Sequence, residues 1–246
     1  MNGPLPAGYE MFVVGTTAVA TQPSYFSFVR DAILRFGDLY GCAAAQPGIE
    51  LRGRGTAYVI EAPGGRWVVR RYFRGGQIAR LVKDRYLRVG EPRPFRELRV
   101  SAIARSRGVA TPEVTAAVVY ASGPAYRADL ATRFVADSVD LIALTFDTPG
   151  AKLAPAWRAT GELIRGLAAA GIQHADLNMK NVLITGAGDQ PRAWVLDLDR
   201  AEVREKGRAD AEVMFARLRR SIAKWERLRG PVDPALHNEL ARGLRG

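Results

Sequence analysis

The segment His174-Ala175-Asp176-Leu177-Asn178-Met179-Lys180-Asn181, followed by Val195-Leu196-Asp197-Leu198-Asp199, restricts this chain more than any other feature. It reads H-x-D-L-x-x-x-N, and the later apolar run ends in an aspartate 21 positions after Asp176. Phosphoryl transfer from a nucleotide needs these residue types in this order. One carboxylate stands beside the attacking hydroxyl; an amide and a second carboxylate offer hard oxygen ligands to magnesium. Each fragment alone reads as an ordinary turn or strand end, where Asp and Asn are common. Together, at these offsets, they favour the chemical reading. Asp176 is then the group that orients the acceptor hydroxyl and takes its proton. Asn181 and Asp197 are the Mg2+ ligands, and His174 is structural. Asp199 stands where a D-F-G triplet carries glycine, as a further ligand or a partner of Arg200.

The order of elements upstream agrees with this. A strand at 58–61, a turn at Pro63-Gly64-Gly65 and a strand at 67–70 make a hairpin. Helical spacing follows over 78–89, and Pro92 and Pro94 lead into a helix over 95–107 stopped by Gly108. Strands over 114–120 and 126–135 enclose a turn at Gly123. Beyond them come a helix over 157–170 ended by Gly171, a loop at 174–181, strands at 182–185 and 193–196, and a helix over 209–229. The expected class is α+β, a bilobal protein-kinase-like fold: an antiparallel-sheet N-lobe with one regulatory-type helix, a mainly helical C-lobe, and the nucleotide ATP between them. Residues 1–48 are set apart as an N-terminal extension with helical spacing over 24–40, residues 49–136 as the N-lobe and 137–246 as the C-lobe.

Within that N-lobe, Gly53 and Gly55 head an imperfect G-x-G-x-x-G-x-V, with Tyr58 in the third glycine's place. Two such glycines let backbone N–H groups approach phosphate oxygens. Trp67-Val68-Val69-Arg70 occupies the place of V-A-I-K, so Arg70 stands for the phosphate-binding lysine. Strand alternation puts Trp67 and Val69 on one face and Val68 and Arg70 on the other. Glu97, on the next helix, is the expected partner of Arg70. Arg133-Phe134-Val135 is the expected hinge, with Arg133 and Val135 against the adenine.

Composition limits the partners. One cysteine, Cys42, excludes an internal disulfide and suits a reducing compartment, and with two histidines a zinc-finger site is excluded. The first ten residues lack a basic n-region, and the run 11–28 holds Pro23 and too much Ser, Thr and Gly to span a bilayer. A soluble or peripheral protein is expected. Net charge is +11, concentrated in 70–99, which carries ten basic and three acidic residues, and in Arg217, Arg219, Arg220, Lys224, Arg227 and Arg229. Such patches suit polyanions: nucleic acid, anionic lipid or a charged substrate.

Several stretches resemble a known group. Arg70-Arg71-Tyr72-Phe73-Arg74-Gly75-Gly76 is similar to the R-H-Y-x-R-G-G of 3-deoxy-D-manno-octulosonic acid (Kdo) kinases, in the lipopolysaccharide kinase family. Asp84-Arg85-Tyr86-Leu87, Phe95-Arg96-Glu97, Tyr126-Arg127-Ala128-Asp129-Leu130, the 174–178 and 196–200 segments and Arg217-Leu218-Arg219-Arg220-Ser221 continue it across about 50–225. The resemblance implies an ATP-dependent kinase acting on a Kdo-linked lipid A precursor, peripheral on the cytoplasmic face of the inner membrane, with no nucleic-acid partner. Leu198 departs from the commoner phenylalanine, and the first 45 residues are unmatched. Arg74, Arg80, Lys83, Arg85 and Arg88 become candidates for holding the anionic acceptor or the membrane surface, at roughly 1 kcal/mol per basic residue near anionic lipid. The apolar stripe Met214, Leu218, Ile222 and Trp225 is expected to pack on the C-lobe rather than lie on a membrane. Two alternatives stand beside this: a kinase of another acceptor (a heptose, a small molecule or a protein), and a non-catalytic basic pseudokinase scaffold, for which Arg70 and Tyr58 argue.

Overall fold

Alternating apolar residues punctuated by glycine turns dominate the first half of the chain, and they fold as strands. The computed structural model describes residues 3–46, 49–52, 56–73, 86–87, 90–149, 152–186 and 190–246. It divides into two units, residues 1–102 with 113–134, and residues 103–112 with 135–246.

In the first unit, β1 (Glu10–Val14) and β2 (Thr17–Thr21) form a hairpin whose two-residue turn opens at Gly15, φ 59°. Tight hairpin turns need a positive φ there, and glycine supplies it without a clash. α1 (Pro23–Phe36) begins on proline and closes at Gly37. α2 (Leu39–Ala45) is capped by Asp38, whose carboxylate accepts the Gly41 N–H at 2.5 Å. Then follow β3 (Ile49–Arg52), β4 (Thr56–Ala62), β5 (Gly65–Arg71), β6 (Tyr86–Leu87), α3 (Arg93–Ser106), β7 (Val114–Ser122) and β8 (Ala125–Arg133). The strands join one antiparallel sheet in the order β1-β2-β7-β8-β5-β4-β3, with β6 also on β8.

The period of two sorts the core. Val19, Trp67, Val69, Ala116, Val118, Tyr120 and Ala131 pack with Val29, Ile33, Leu39 and Cys42 of α1 and α2. Their neighbours Ala20, Ala117, Val119, Ala128 and Leu130 pack with Phe95 and Leu98 of α3. The first 48 residues are therefore no appendage: they supply two strands to the sheet and two helices to one of its faces. A second difference concerns the helical spacing over 78–89. Its described residues, Tyr86 and Leu87, pair with Tyr126 and Ala125 as a strand, and the Tyr86 ring stacks on Tyr126 with centroids 5.6 Å apart. That cross-strand aromatic pair outweighs the local helical period. The rest of 78–89 lies outside the described residues.

The second unit contains β9 (Ser138–Asp140), α4 (Leu141–Phe146), α5 (Leu153–Ala169), β10 (Ile172–His174), β11 (Val182–Thr185), β12 (Arg192–Val195), β13 (Ala201–Val203), α6 (Ala211–Arg229) and α7 (Pro234–Arg245). β12-β11-β9 make a small antiparallel sheet, and β10 pairs with β13. α5 buries Trp157, Thr160, Ile164 and Leu167 at helical spacing. α5 and α7 meet backbone to backbone: a Cβ at Gly161 would run into the Leu240 carbonyl, and one at Gly243 into that of Arg158. α6 buries Met214, Leu218 and Ile222 of the expected stripe and half-buries its fourth member, Trp225, while Arg219, Arg220, Lys224 and Arg227 face outward.

Candidate active site

In the first unit, β5 and α3 bring Arg70 and Glu97 together. Arg70 Nη2 donates to both Glu97 oxygens at 2.7 Å. The Glu97 side chain is only 5% exposed and that of Arg70 29%. A carboxylate so buried needs its charge matched and its lone pairs filled. Tyr72, just past the end of β5 and two residues from Arg70, donates its hydroxyl to Glu97 Oε2. Its ring also lies under the Arg70 guanidinium, 4.6 Å from the centroid. The expected partnership of Arg70 and Glu97 is present; Tyr72, the third member, was readable in the i, i+2 spacing and was not singled out.

Beneath Arg70, the next residue points to the opposite face. Arg71 donates to fully buried Asp129 at 2.9 Å and reaches Asp38 at 2.6 Å. Asp129 also accepts from the Tyr120 hydroxyl at 2.9 Å and the Tyr40 N–H at 3.0 Å. Burial holds the Asp129 carboxyl above the usual carboxylate range, against the pull of Arg71. This cluster ties the strand carrying Arg70 to the start of α2.

The expected hinge, Arg133-Phe134-Val135, falls where the chain passes from the first unit to the second, between Phe134 and Val135, and the Arg133 N–H is already committed. Its N–H donates to the Glu113 carbonyl at 2.7 Å, and its guanidinium to the Gly64 carbonyl at 2.6 Å and the Tyr25 hydroxyl at 2.8 Å. It braces the β4–β5 turn and has no backbone N–H to offer a base. Val135, in the second unit, accepts the Ser138 hydroxyl at its carbonyl, 2.8 Å. Gly53, Gly55, Arg74, Arg80, Lys83 and Arg85 lie outside the described residues.

In the second unit, β10 delivers the 174–181 loop, and its hydrogen bonds settle its protonation. The Asp176 N–H donates to His174 Nδ1 at 3.1 Å, so that nitrogen carries no proton. Nε2–H then donates to the Leu196 carbonyl at 3.2 Å. Burial keeps the imidazole below its ordinary range, hence neutral. The Asp176 carbonyl accepts both the Asn178 amide, at 2.8 Å, and the Asn181 amide, at 3.1 Å. Its carboxylate remains 32% exposed.

The donor set fits a magnesium ion. With the Asn181 NH2 directed to Asp176, its side-chain oxygen is the atom left to coordinate. The Leu196 N–H donates to the Asn181 carbonyl at 2.8 Å, which brings Asp197 beside Asn181 along the backbone. Asp197 adopts φ 60°, ψ 65°, a left-handed conformation rare for a non-glycine residue. Among the described residues no group of three or more His, Cys, Asp or Glu could hold a metal. Two protein oxygens completed by phosphate and water is the magnesium pattern. Asp199 is buried.

α6 lies along this loop. Met214 Sδ accepts the His174 N–H at 3.3 Å, and Ser221 Oγ accepts the Met179 N–H at 3.2 Å. Arg217 Nη2 reaches Asp176 Oδ1 at 3.4 Å, and Lys180 Nζ is 5.4 Å from the Trp225 ring centroid.

Comparison with known proteins gives a consistent result. The model of the lipopolysaccharide kinase (Kdo/WaaP) family matches residues 44–233. The chain is 37% identical over 187 residues to a 3-deoxy-D-manno-octulosonic acid kinase of Xanthomonas euvesicatoria pv. vesicatoria (strain 85-10), covering 75% of this chain and 73% of that one. It is 37% identical over 183 residues to the enzyme of the same name from Stenotrophomonas maltophilia (strain K279a), covering 74% and 71%. A solved structure of WaaP in complex with acyl carrier protein superposes with TM-score 0.56 at 19% identity, over 92% of this chain and 88% of that one. The fold is thus α+β and kinase-like, as expected.

Proposed function

Because this chain belongs to the lipopolysaccharide kinase (Kdo/WaaP) family, whose model covers most of its length, we propose that it is an ATP-dependent kinase phosphorylating a hydroxyl of a Kdo sugar on a lipid A precursor in lipopolysaccharide biosynthesis. The observation that carries the reading is the 174–181 loop. The Asp176 backbone is held by His174, Asn178 and Asn181, while its carboxylate stays open to an acceptor.

In the reaction, the sugar hydroxyl gives its proton to the Asp176 carboxylate. The hydroxyl oxygen bonds the γ-phosphorus, and the bond from that phosphorus to the β,γ-bridging oxygen breaks, leaving ADP. Magnesium held by Asn181 and Asp197 would neutralise charge on the phosphates. Arg70, oriented by Glu97 and Tyr72, neutralises further phosphate oxygens. Gly53, Gly55 and Val135 are assigned to the nucleotide, and Arg74, Arg80, Lys83 and Arg85 to the anionic acceptor.

The lipid-linked acceptor suits a peripheral enzyme on the cytoplasmic face of the inner membrane. The outward Arg219, Arg220, Lys224 and Arg227 of α6 support this, at about 1 kcal/mol each near anionic lipid. No described helix is long and apolar enough to cross a membrane.

Transfer from γ-labelled ATP to a panel of Kdo-lipid, heptose-lipid and protein acceptors tests the reading. Label on the Kdo-lipid alone is expected; label on another acceptor alone, or on none, overturns it. Asp176→Asn should abolish transfer with Mg-ATP affinity retained, and Asp197→Ala should weaken Mg-ATP binding. Unchanged transfer in the first variant, or unchanged affinity in the second, removes that residue from its role.

A further inference from the structure

α6 turns four residues toward the loop at helical spacing, and three have evident uses there. Met214 and Ser221 accept loop N–H groups, and Trp225 receives Lys180. Arg217 is the exception. Among the described residues its side-chain hydrogen bond is to Asp176 Oδ1 at 3.4 Å, long for a charge-assisted bond, which runs at about 2.7–2.9 Å. Its Nε is buried with no hydrogen-bond partner among the described residues, while the side chain as a whole is 42% exposed. A guanidinium offers five donors in a planar fork, so most of this one is uncommitted, at the point where the acceptor hydroxyl must arrive.

We propose that Arg217 is a specificity residue that binds the carboxylate of the acceptor sugar and so aims its hydroxyl at Asp176. The inference rests on the Kdo kinase reading above. Two physical arguments carry it. The sugar is an acid, so binding it brings a second carboxylate to a site that already holds Asp176, and like charges at close range repel. A cation standing at Asp176 with open donors offsets both. Second, the fork of arginine matches the two oxygens of a carboxylate, a geometry that a lysine point charge does not reproduce. The charge comes from α6, a helix anchored to the loop on both sides of Arg217, so acceptor and base are positioned by one rigid element.

The test compares transfer to a Kdo-lipid acceptor and to the same acceptor with its sugar carboxyl converted to the amide, using the full chain. For the wild-type protein the amide should raise the acceptor KM about 10- to 100-fold, the loss expected for hydrogen bonds to a charged group. Arg217→Ala should show a comparable rise on the native acceptor and little further loss on the amide, a non-additive cycle. Arg217→Lys should recover only part of the discrimination. Because the acid-to-amide ratio is internal to each variant, general damage to the loop does not mimic the result. Equal use of both acceptors by the wild type overturns the inference and spares the function, as does a drop in kcat on both acceptors with the ratio intact, which marks Arg217 as a support of Asp176 alone. Transfer to neither acceptor by the wild type removes both inference and function.

Discussion

Substituting Glu97 by glutamine tests the Arg70–Glu97 pair of the first unit, because shape is kept while charge is lost. In the native protein the Glu97 oxygens accept, among other contacts, two bonds from Arg70 Nη2 and one from the Tyr72 hydroxyl. Glutamine keeps one acceptor oxygen. Its NH2 must face either Arg70 alone, or Arg70 and Tyr72 together, and all of these are donors. One or two bonds to a charged group are lost, each worth about 1.5–3 kcal/mol. Arg70 is 29% exposed, so water screens part of the loss. A net destabilisation of about 2–4 kcal/mol is expected, which for a chain of this size lowers Tm by roughly 5–15 °C. The same variant should raise the KM for Mg-ATP, since Arg70 loses the partner that orients it. Differential scanning calorimetry and steady-state kinetics on Glu97→Gln read both quantities. An unchanged Tm would mean that the pair contributes nothing to folding. An unchanged KM would mean that Arg70 does not need Glu97 to meet the nucleotide.

Two further outcomes follow from the second unit. Neutral His174 lies below its ordinary value of 6.5, whereas in the unfolded chain it protonates near that value. Below pH 6.5 the unfolded state binds more protons, so stability should fall as pH drops from 6.5 toward the lowered native value. Tm measured from pH 7.5 to 5 should decline more steeply for the wild type than for His174→Gln; parallel curves would refute the assignment. Alanine at Gly161 would add about 1 kcal/mol of helix propensity, but its methyl group meets the backbone of α7, which cannot rotate away. The clash should win by about 1–3 kcal/mol, seen as a lower denaturation midpoint, and a raised midpoint would contradict the backbone contact.

The parts of the fold written in local patterns were legible. The 182–185 strand, the helix stopped by Gly108 and the Arg70–Glu97 pair follow from period, punctuation and chain order. β1 and β2 escaped because Thr and Ala blur their alternation; the Gly15 turn between Val14 and Thr17 was the signal available. α7 announces itself through Asp233-Pro234 and the spacing of Leu236, Leu240 and Gly243, yet those are few apolar residues in a basic tail. The hinge expected at 133–135 coincides with the division between Phe134 and Val135, but alternation does not tell which side of a strand an N–H faces, so the use of the Arg133 N–H was not readable. Arg217 stood out only within a basic run and a family-like stretch, and its place beside Asp176 was hidden for another reason. It borders the stripe of Met214, Leu218 and Ile222, where a charge normally meets solvent, and its partner Asp176 is 41 residues away in sequence.

Asp197 carries one more consequence. An L-residue in the left-handed region holds a backbone energy of order 1–2 kcal/mol, somewhat less for aspartate, that glycine would not. The best residue for thermal endurance at this position is therefore glycine, and the best for gripping a divalent ion is aspartate. Selection for heat tolerance alone would drift toward a sturdier molecule without the carboxylate that the proposed magnesium site requires.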